Sequence, residues 1–161
     1  MEDKTAARQV KMQKVRLSRT YKLIGVIRKV MDGWYLDPIV GLIPGIGDSL
    51  TSVLSLPYIY LTLFKIKSVP LTLAVIYNTL LDWILGIIPF GDIFDIFFKS
   101  YKRNSDLIVG FVEENPKITE NVNRKAVYFG VMVGVLAILL IFLIVLVTKG
   151  LQNFADFVAT L

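Results

Sequence analysis

Apolar residues along this chain are gathered into long runs, and polar residues are concentrated in the segments between them. The run from Ala126 to Thr148 contains no charged residue, which meets the roughly 20-residue length that a helix needs to cross hydrocarbon. Two shorter apolar runs precede it, at about 49–64 and 71–88. The pattern predicts an all-α integral membrane protein with three transmembrane helices.

The two shorter runs carry a repeated motif. Residues 37–48, the first elbow, read Asp-Pro-Ile-Val-Gly-Leu-Ile-Pro-Gly-Ile-Gly-Asp, and residues 82–92, the second elbow, read Asp-Trp-Ile-Leu-Gly-Ile-Ile-Pro-Phe-Gly-Asp. This repetition predicts a duplicated helix–elbow–helix unit. The predicted helix breakers are Gly41, Pro44, Gly45, Gly47, Gly86, Pro89 and Gly91.

This pattern divides the chain into five segments. They are a loosely ordered, basic N-terminal tail at 1–19, the duplicated membrane domain at 20–108, a polar linker at 109–125, the third transmembrane helix at 126–148, and an amphipathic tail at 149–161. Residues 104–125 are polar, and we expect in them a surface helix, a turn at Pro116 and a linker. A tight connection is predicted at 65–70.

An amphipathic helix is predicted over 20–31. Its cations and the aromatic residue that follows are expected at an anionic lipid surface; they are Arg19, Lys22, Arg28, Lys29 and Trp34. The alternative is a solvated helix that packs on its own protein.

Composition supports the membrane prediction and excludes several chemistries. Hydrophobic residues make up 55% of the chain, and the mean hydropathy is +0.63. The absence of Cys and His excludes disulfides, thiol nucleophiles, imidazole bases and Cys/His zinc sites. We therefore expect no cofactor, and any metal site would use oxygen ligands. The net charge of +5 does not indicate nucleic acid, because the cations flank apolar runs.

The distribution of Lys and Arg predicts the topology. Residues 1–36 carry nine and 99–125 carry six, against two in 65–69 and one in the C-terminal tail. The positive-inside tendency then favours a cytoplasmic N-terminus, three crossings and an external C-terminus in the cytoplasmic (inner) membrane. In this arrangement both elbows face the cytoplasm and the two repeats run antiparallel, as inverted repeats do.

The elbow residues also carry a resemblance. The stretches 36–48 and 86–95, followed by Lys99 and Arg103-Asn104, resemble a bacterial membrane-protein family known only as domain of unknown function 4112. Two departures are the single residue between Pro89 and Gly91, where that family usually has two, and Ser100-Tyr101 in place of Ala-Asn. The resemblance implies membrane placement and leaves the activity open.

Carboxylates within apolar runs are the candidate functional groups, because an ionised side chain in hydrocarbon is costly. Asp82 lies deep in such a run, and Asn78 shares its helical face. The predicted cation or proton path is lined by Asp48, Asp82, Asp92, Asp95, Asn78, Ser52 and Ser55. We expect a homo-oligomer to complete its walls, with Gly130 and Gly134 as the small residues at the helix contact.

Three alternatives remain open at this stage. Asp48 and Asp92 are also typical helix caps, so the protein is alternatively a membrane scaffold that conducts nothing. Gly45-Ile-Gly47-Asp48 with Asp82 resembles the Gly-x-Gly-Asp pattern of intramembrane aspartyl proteases, although those enzymes place their other aspartate before that pattern and use more spans. Binding of a soluble partner at 1–30 or 104–125 is the third alternative.

Overall fold

A computed structural model describes residues 2–33, 46–87 and 100–160, with side chains described over 6–29, 53–85 and 101–160. The regular structure in these ranges is entirely helical, which confirms the all-α prediction. The helices are α1 (Glu2–Leu17), α2 (Arg19–Gly33), α3 (Ile46–Tyr60) with a π-helix (Leu61–Ile66) after it, α4 (Val69–Ile87), α5 (Ser100–Val112), α6 (Pro116–Arg124) and α7 (Ala126–Ala159).

The prediction of a loosely ordered N-terminal tail was wrong, because α1 occupies most of it. Met12 and Val15 lie three residues apart, so they share a helical face, and both are buried in the main core. Ser18 separates α1 from α2, and its hydroxyl accepts a hydrogen bond from the backbone N–H of Tyr21 at 3.2 Å. Tertiary packing therefore orders a segment that its composition marks as a polar tail.

The predicted tight connection after α3 is confirmed. Only Lys67 and Ser68 separate the π-helix from α4, and Lys67 adopts the left-handed conformation with φ 56° and ψ 50°. Ser68 then caps α4, because its carbonyl accepts from the N–H of Thr72 at 2.9 Å. The chain reverses here, so α4 runs antiparallel to α3 and the π-helix.

Replacing Lys67 with glycine should stabilise the protein by about 0.5–1 kcal/mol, because glycine adopts positive φ without the steric cost that a side chain adds. Thermal unfolding in mild detergent would measure this gain. The matched control is Lys65→Gly inside the π-helix, which should destabilise by a similar amount. A lower midpoint for Lys67→Gly would contradict the prediction.

The turn after α5 closes with a Schellman motif. The N–H of Asn115 donates to the carbonyl of Gly110 at 2.8 Å, and the N–H of Glu114 donates to that of Phe111 at 3.2 Å. Glu114 takes the left-handed position with φ 61°. Asn115 then caps α6, because its side chain accepts from the N–H of Lys117 at 3.1 Å.

Contacts with α5 establish the helix directions. On the N-terminal helices, Arg16 meets Val112 and Arg28 meets Asp106, so α2 runs antiparallel to α5. Asn78 on α4 meets Asn104, whereas Leu71 and Val75 join the core with Ile108 and Val112, so α4 also runs antiparallel to α5.

The bundle therefore has two distinct ends. We call the end with the Lys67–Ser68 and Glu113–Asn115 turns the turn end, and the opposite end, where α4 finishes and α3 and α5 begin, the elbow end. Because α2 and α4 both run toward the elbow end, the two helix–elbow–helix units have the same orientation. The expected antiparallel, inverted-repeat relation is not found among the described helices.

The last helix, α7, packs along α4. Gly130 lies near Leu73, and the ring of Tyr77 lies 5.5 Å from that of Phe129. Farther along both helices, Leu80 and Ile84 form a second cluster with Leu136, which Leu140 and Leu143 extend. Later residues of α4 thus meet later residues of α7, and the two helices run parallel.

Parallel packing corrects the predicted topology, in which the second and third spans cross in opposite directions. The difference arises because the chain returns to the turn end through α5 before α7 begins, so α4 and α7 start at the same end of the bundle. The predicted topology came from the number of charges in each loop, which does not show that α5 brings the chain back to the turn end.

Among the described residues, α7 is the one helix long and apolar enough to cross a membrane. Its most apolar 18-residue window has a mean hydropathy of 3.3, and only 6% of that window is buried in the protein. The helix continues without a break to Ala159, so the predicted separate tail from residue 149 is an extension of the same helix. At 1.5 Å per residue its 34 residues span about 50 Å.

Candidate polar site between helices α3, α4 and α5

The interior of the bundle contains a chain of hydrogen-bonded amides and hydroxyls. Asn104 on α5 is fully buried, and its Oδ1 accepts from Asn78 Nδ2 at 2.9 Å. Asn104 Nδ2 lies 3.4 Å from Thr79 Oγ1, which in turn donates to the carbonyl of Val75 at 2.9 Å. These bonds join α4 to α5 through polar side chains that are withdrawn from solvent.

A second polar contact joins α3 to α5 beside the first. The hydroxyls of Tyr58 and Ser105 lie 3.1 Å apart, and both residues are fully buried. Ser55 and Thr62 on the same side of α3 are also buried, as the predicted polar stripe along this helix requires. The Thr62 hydroxyl donates to backbone carbonyls of the preceding turn, those of Tyr58 and Ile59, each at 3.1 Å.

Asp82 lies one turn beyond Asn78 on α4 and is 7% exposed. It lies two residues after Leu80 and two before Ile84, so its side chain is on the other side of α4 from the cluster that these two residues form with Leu136 of α7. The structure thus places the two α4 candidates, Asp82 and Asn78, on the interior side of the bundle. Ser55, on α3, also faces this interior.

The remaining candidates lie at the start of α3, at the end of α4 or outside the described residues. Asp48 and Gly47 lie in the first turn of α3, which begins at Ile46 instead of Ser49, and Gly86 lies inside α4. An acidic residue in the first turn of a helix interacts favourably with the helix dipole, as one at the cap position does. Asp48 can therefore still stabilise the start of α3, although it lies inside the first turn and not at the cap. The candidates that lie outside the described residues are the side chains of Asp48 and Ser52, together with Asp92, Asp95, Gly41, Pro44, Gly45, Pro89, Gly91 and Trp34.

The helix predicted at the lipid surface packs its apolar side on its own protein. Ile24 and Ile27 of α2 are buried in the main core, as the alternative interpretation requires. Arg28 pairs with Asp106 at 2.8 Å, whereas Arg19, Lys22 and Lys29 remain exposed. Lipid contact by these three cations stays a prediction.

Basic side chains of α1 hold the turn end together. Arg8 Nε lies 3.2 Å from Glu114 Oε1 and its guanidinium stands over the Phe111 ring, while Arg16 donates to the carbonyl of Val112 at 3.1 Å. Arg16 thereby satisfies a carbonyl at the C-terminal end of α5, where cations are favoured.

Burial chiefly raises the pKa of the nearby Tyr21 hydroxyl. The Glu113 carboxylate raises it further, and Arg16 partly opposes both. A cavity of about 320 Å³ lies at this end, lined in part by Gln9, Gln13 and Arg16. It is remote from Asp82 and offers no carboxylate apart from Glu114, which already pairs with Arg8.

The two glycines predicted at an oligomer contact have different surroundings. A Cβ on Gly130 would lie 3.7 Å from Leu73 of the same chain, so Gly130 faces α4. Gly134 is exposed, and a Cβ there would meet nothing within 4 Å. Only Gly134 is therefore open to a second copy.

Sequence reasoning missed Asn104 and Ser105 because the polar segment that contains them was assigned to the surface, and it missed Tyr58 because this residue lies in an apolar run. A usable signal was present. Tyr101, Ile108 and Val112 recur at helical spacing around Asn104, which puts this asparagine on the apolar face of α5. Among the described residues, no group of three or more Asp and Glu side chains is arranged to hold a metal ion.

Comparison with known proteins gives one result. A family model described as "Domain of unknown function (DUF4112)" matches residues 7–112, as the elbow motifs led us to expect. The match covers α1 to α5, which includes the whole of the polar network, and excludes α6 and α7. No curated protein and no solved structure matches the chain significantly.

Proposed function

Since this chain belongs to the family of domain of unknown function 4112, whose name carries no activity, we propose its function from its geometry. The protein is a small homo-oligomeric membrane channel or transporter for a cation or proton. The observation that carries this proposal is the arrangement of the bundle, with hydrogen-bonded polar groups inside and apolar side chains on the outer sides of α3, the π-helix and α7.

The outer side of α3 and the π-helix supports membrane placement. Its exposed residues follow helical spacing and form one apolar stripe, composed of Val53, Leu56, Tyr60, Leu63 and Phe64. The opposite side of the same helices holds the polar Ser55, Tyr58 and Thr62. A soluble helix shows the reverse distribution, whereas lipid favours it.

The proposed spans are α3 with the π-helix, α4, and α7, and the chain passes between the two ends of the bundle a further two times, through α2 and α5. The first covers 21 residues and the second 19, so they extend about 31 and 28 Å, close to the hydrocarbon thickness. We place the protein in the cytoplasmic membrane with its N-terminus inside and its C-terminus outside. Gly134 and its exposed apolar neighbours on α7 form the proposed contact between copies.

Asp82 is the proposed ion-binding or proton-binding group. An acidic residue that faces a helix bundle at membrane depth is expected to serve a path or a relay. Asn78, Thr79 and Asn104 continue polar surface from Asp82 toward the turn end. Asp48, Asp92 and Asp95 are the proposed acidic groups at the mouth of the path.

A scaffold is the second candidate, and the network itself favours it. Asn78, Asn104 and Thr79 bond to one another, as do Tyr58 and Ser105, so these groups need no ion to satisfy them. On this account the network holds three helices in register and the basic N-terminal helices bind lipid or a partner. The protease alternative needs Asp48 close to Asp82, a pairing that lies outside the described side chains.

Purified protein in liposomes would distinguish the two candidates. We expect proton or cation flux that falls by at least about tenfold in Asp82→Asn, because the amide keeps the shape of the side chain but carries no charge. The control is Asp156→Asn on the exposed end of α7, which should conduct like the wild type. Circular dichroism and gel filtration would confirm that both variants fold.

Two outcomes would count against transport. If liposomes that contain the wild-type protein are no more permeable to protons, Na⁺ and K⁺ than empty liposomes, the scaffold function is favoured. If flux persists unchanged in folded Asp82→Asn, the path does not use this carboxylate.

A further inference from the structure

Because α4 packs on α7, the depth of α7 in the membrane determines the depth of α4. The α7 residues that contact α4, from Tyr128 to Leu143, all fall within the uncharged run of residues 126–148. If that run crosses the bilayer, α4 is carried into the hydrocarbon beside it.

The same packing gives the depth of Asp82. Leu136, which shares a cluster with Leu80 and Ile84, lies ten residues after Ala126. Ten residues of helix correspond to about 15 Å, which is half of the hydrocarbon thickness. Asp82 therefore lies near the midplane.

The turn end has the charge expected at an anionic headgroup layer. Its exposed cations are Lys14, Lys65, Lys67, Lys117, Arg124 and Lys125. Glu113 and Glu120 are exposed nearby and offset part of this charge. Arg124 and Lys125 immediately precede α7, the position where positive charge has most influence on orientation. The exposed cations toward the elbow end, which are Lys29, Lys102 and Arg103, do not flank α7.

We propose that the bundle lies in the bilayer with its turn end against the anionic headgroups of the cytoplasmic leaflet. In this orientation α4 crosses in the same direction as α7, and the elbow end lies toward the external leaflet, on the side of the C-terminus. This inference depends on the membrane placement proposed above but not on ion conduction. The topology that the sequence predicts is the opposite, with the elbow end of the protein toward the cytoplasm.

Single cysteines test the orientation directly, because the chain has none of its own. A membrane-impermeant maleimide would be applied to intact expressing cells and to inverted membrane vesicles. Lys65→Cys and Lys117→Cys should be labelled in inverted vesicles only, and Thr160→Cys in intact cells only. Val53→Cys, on the apolar stripe, should be labelled in neither preparation and should react fully after denaturation in SDS.

Each departure from this pattern has a distinct meaning. Labelling of Lys65→Cys in intact cells would overturn the orientation. Labelling of Val53→Cys in native membranes would place the bundle in water and overturn the membrane placement as well. The expected labelling together with absent ion flux would support the orientation and reject only the transport function.

A charge variant tests the role of the headgroups. Replacing Lys117, Arg124 and Lys125 with glutamine should allow both orientations, so that Thr160→Cys is labelled in both preparations. The matched control replaces Lys102, Arg103 and Lys149, exposed cations away from the turn end, and should keep labelling in intact cells only. If the first variant retains a single orientation, these three cations do not set it and that part of the proposal fails.

Discussion

Replacing Asn104 with alanine should lower the free energy of unfolding by about 3 kcal/mol, the largest polar effect that we expect in this protein. The substitution leaves the Asn78 amide and the Thr79 hydroxyl without their shared partner and opens a cavity at a fully buried position. Unfolding of the purified protein in mild detergent, followed by circular dichroism, would measure the loss.

The matched control for this prediction is Asn123→Ala on the exposed side of α6, which should change stability by less than about 0.5 kcal/mol. A double-mutant cycle with Asn78→Ala should give a coupling of about 1 kcal/mol between the two asparagines. Equal losses for Asn104→Ala and Asn123→Ala would show that the network adds nothing to stability.

Replacing Gly110 with leucine should destabilise the protein by about 3 kcal/mol through overpacking. A Cβ at this position would overlap Cδ1 of Ile118 and lie 3.3 Å from its Cγ1, so α6 could not keep its place against α5. The change also strains the turn, because the carbonyl of Gly110 accepts the bond from Asn115 that closes it. Thermal unfolding in detergent would report the effect.

Gly25→Leu provides the comparison for Gly110. Nothing lies within 4 Å of a Cβ on Gly25, so leucine there should stabilise α2 by up to about 1 kcal/mol. Adding Ile118→Ala to Gly110→Leu should recover part of the lost stability by clearing the space. If Gly110→Leu unfolds at the wild-type temperature, the result would contradict the close packing of α6 against α5 at this position.

Features with a local cause were predictable from the sequence. The uncharged run at 126–148, the apolar run that becomes α4, and the Lys67–Ser68 turn depend on composition and on short-range capping, and each lies where it was expected. The inward position of Asp82 and Asn78 also followed from helical spacing.

Features that depend on tertiary contact were not predictable in the same way. The order of α1 comes from Met12, Val15 and Arg8 packing on α5, about 100 residues away in the chain. The partner of Asn78 is Asn104, which lies in a segment whose average polarity conceals its buried face. The parallel packing of α4 and α7 depends on how many times the chain reverses between them, and a count of charges by loop does not register those reversals.

The unbroken length of α7 has a mechanical consequence. Its first half is packed on α4, while every described residue from Ile144 onward is exposed and the helix continues through Gly150 to Ala159. The packed half of α7 is held in place, and the free half moves with it as one rigid helix. A tilt of about 10° near Leu143, where the packed part ends, would displace the last turn, about 24 Å away, by about 4 Å, so a small rearrangement of the packed helices would be amplified at Ala159.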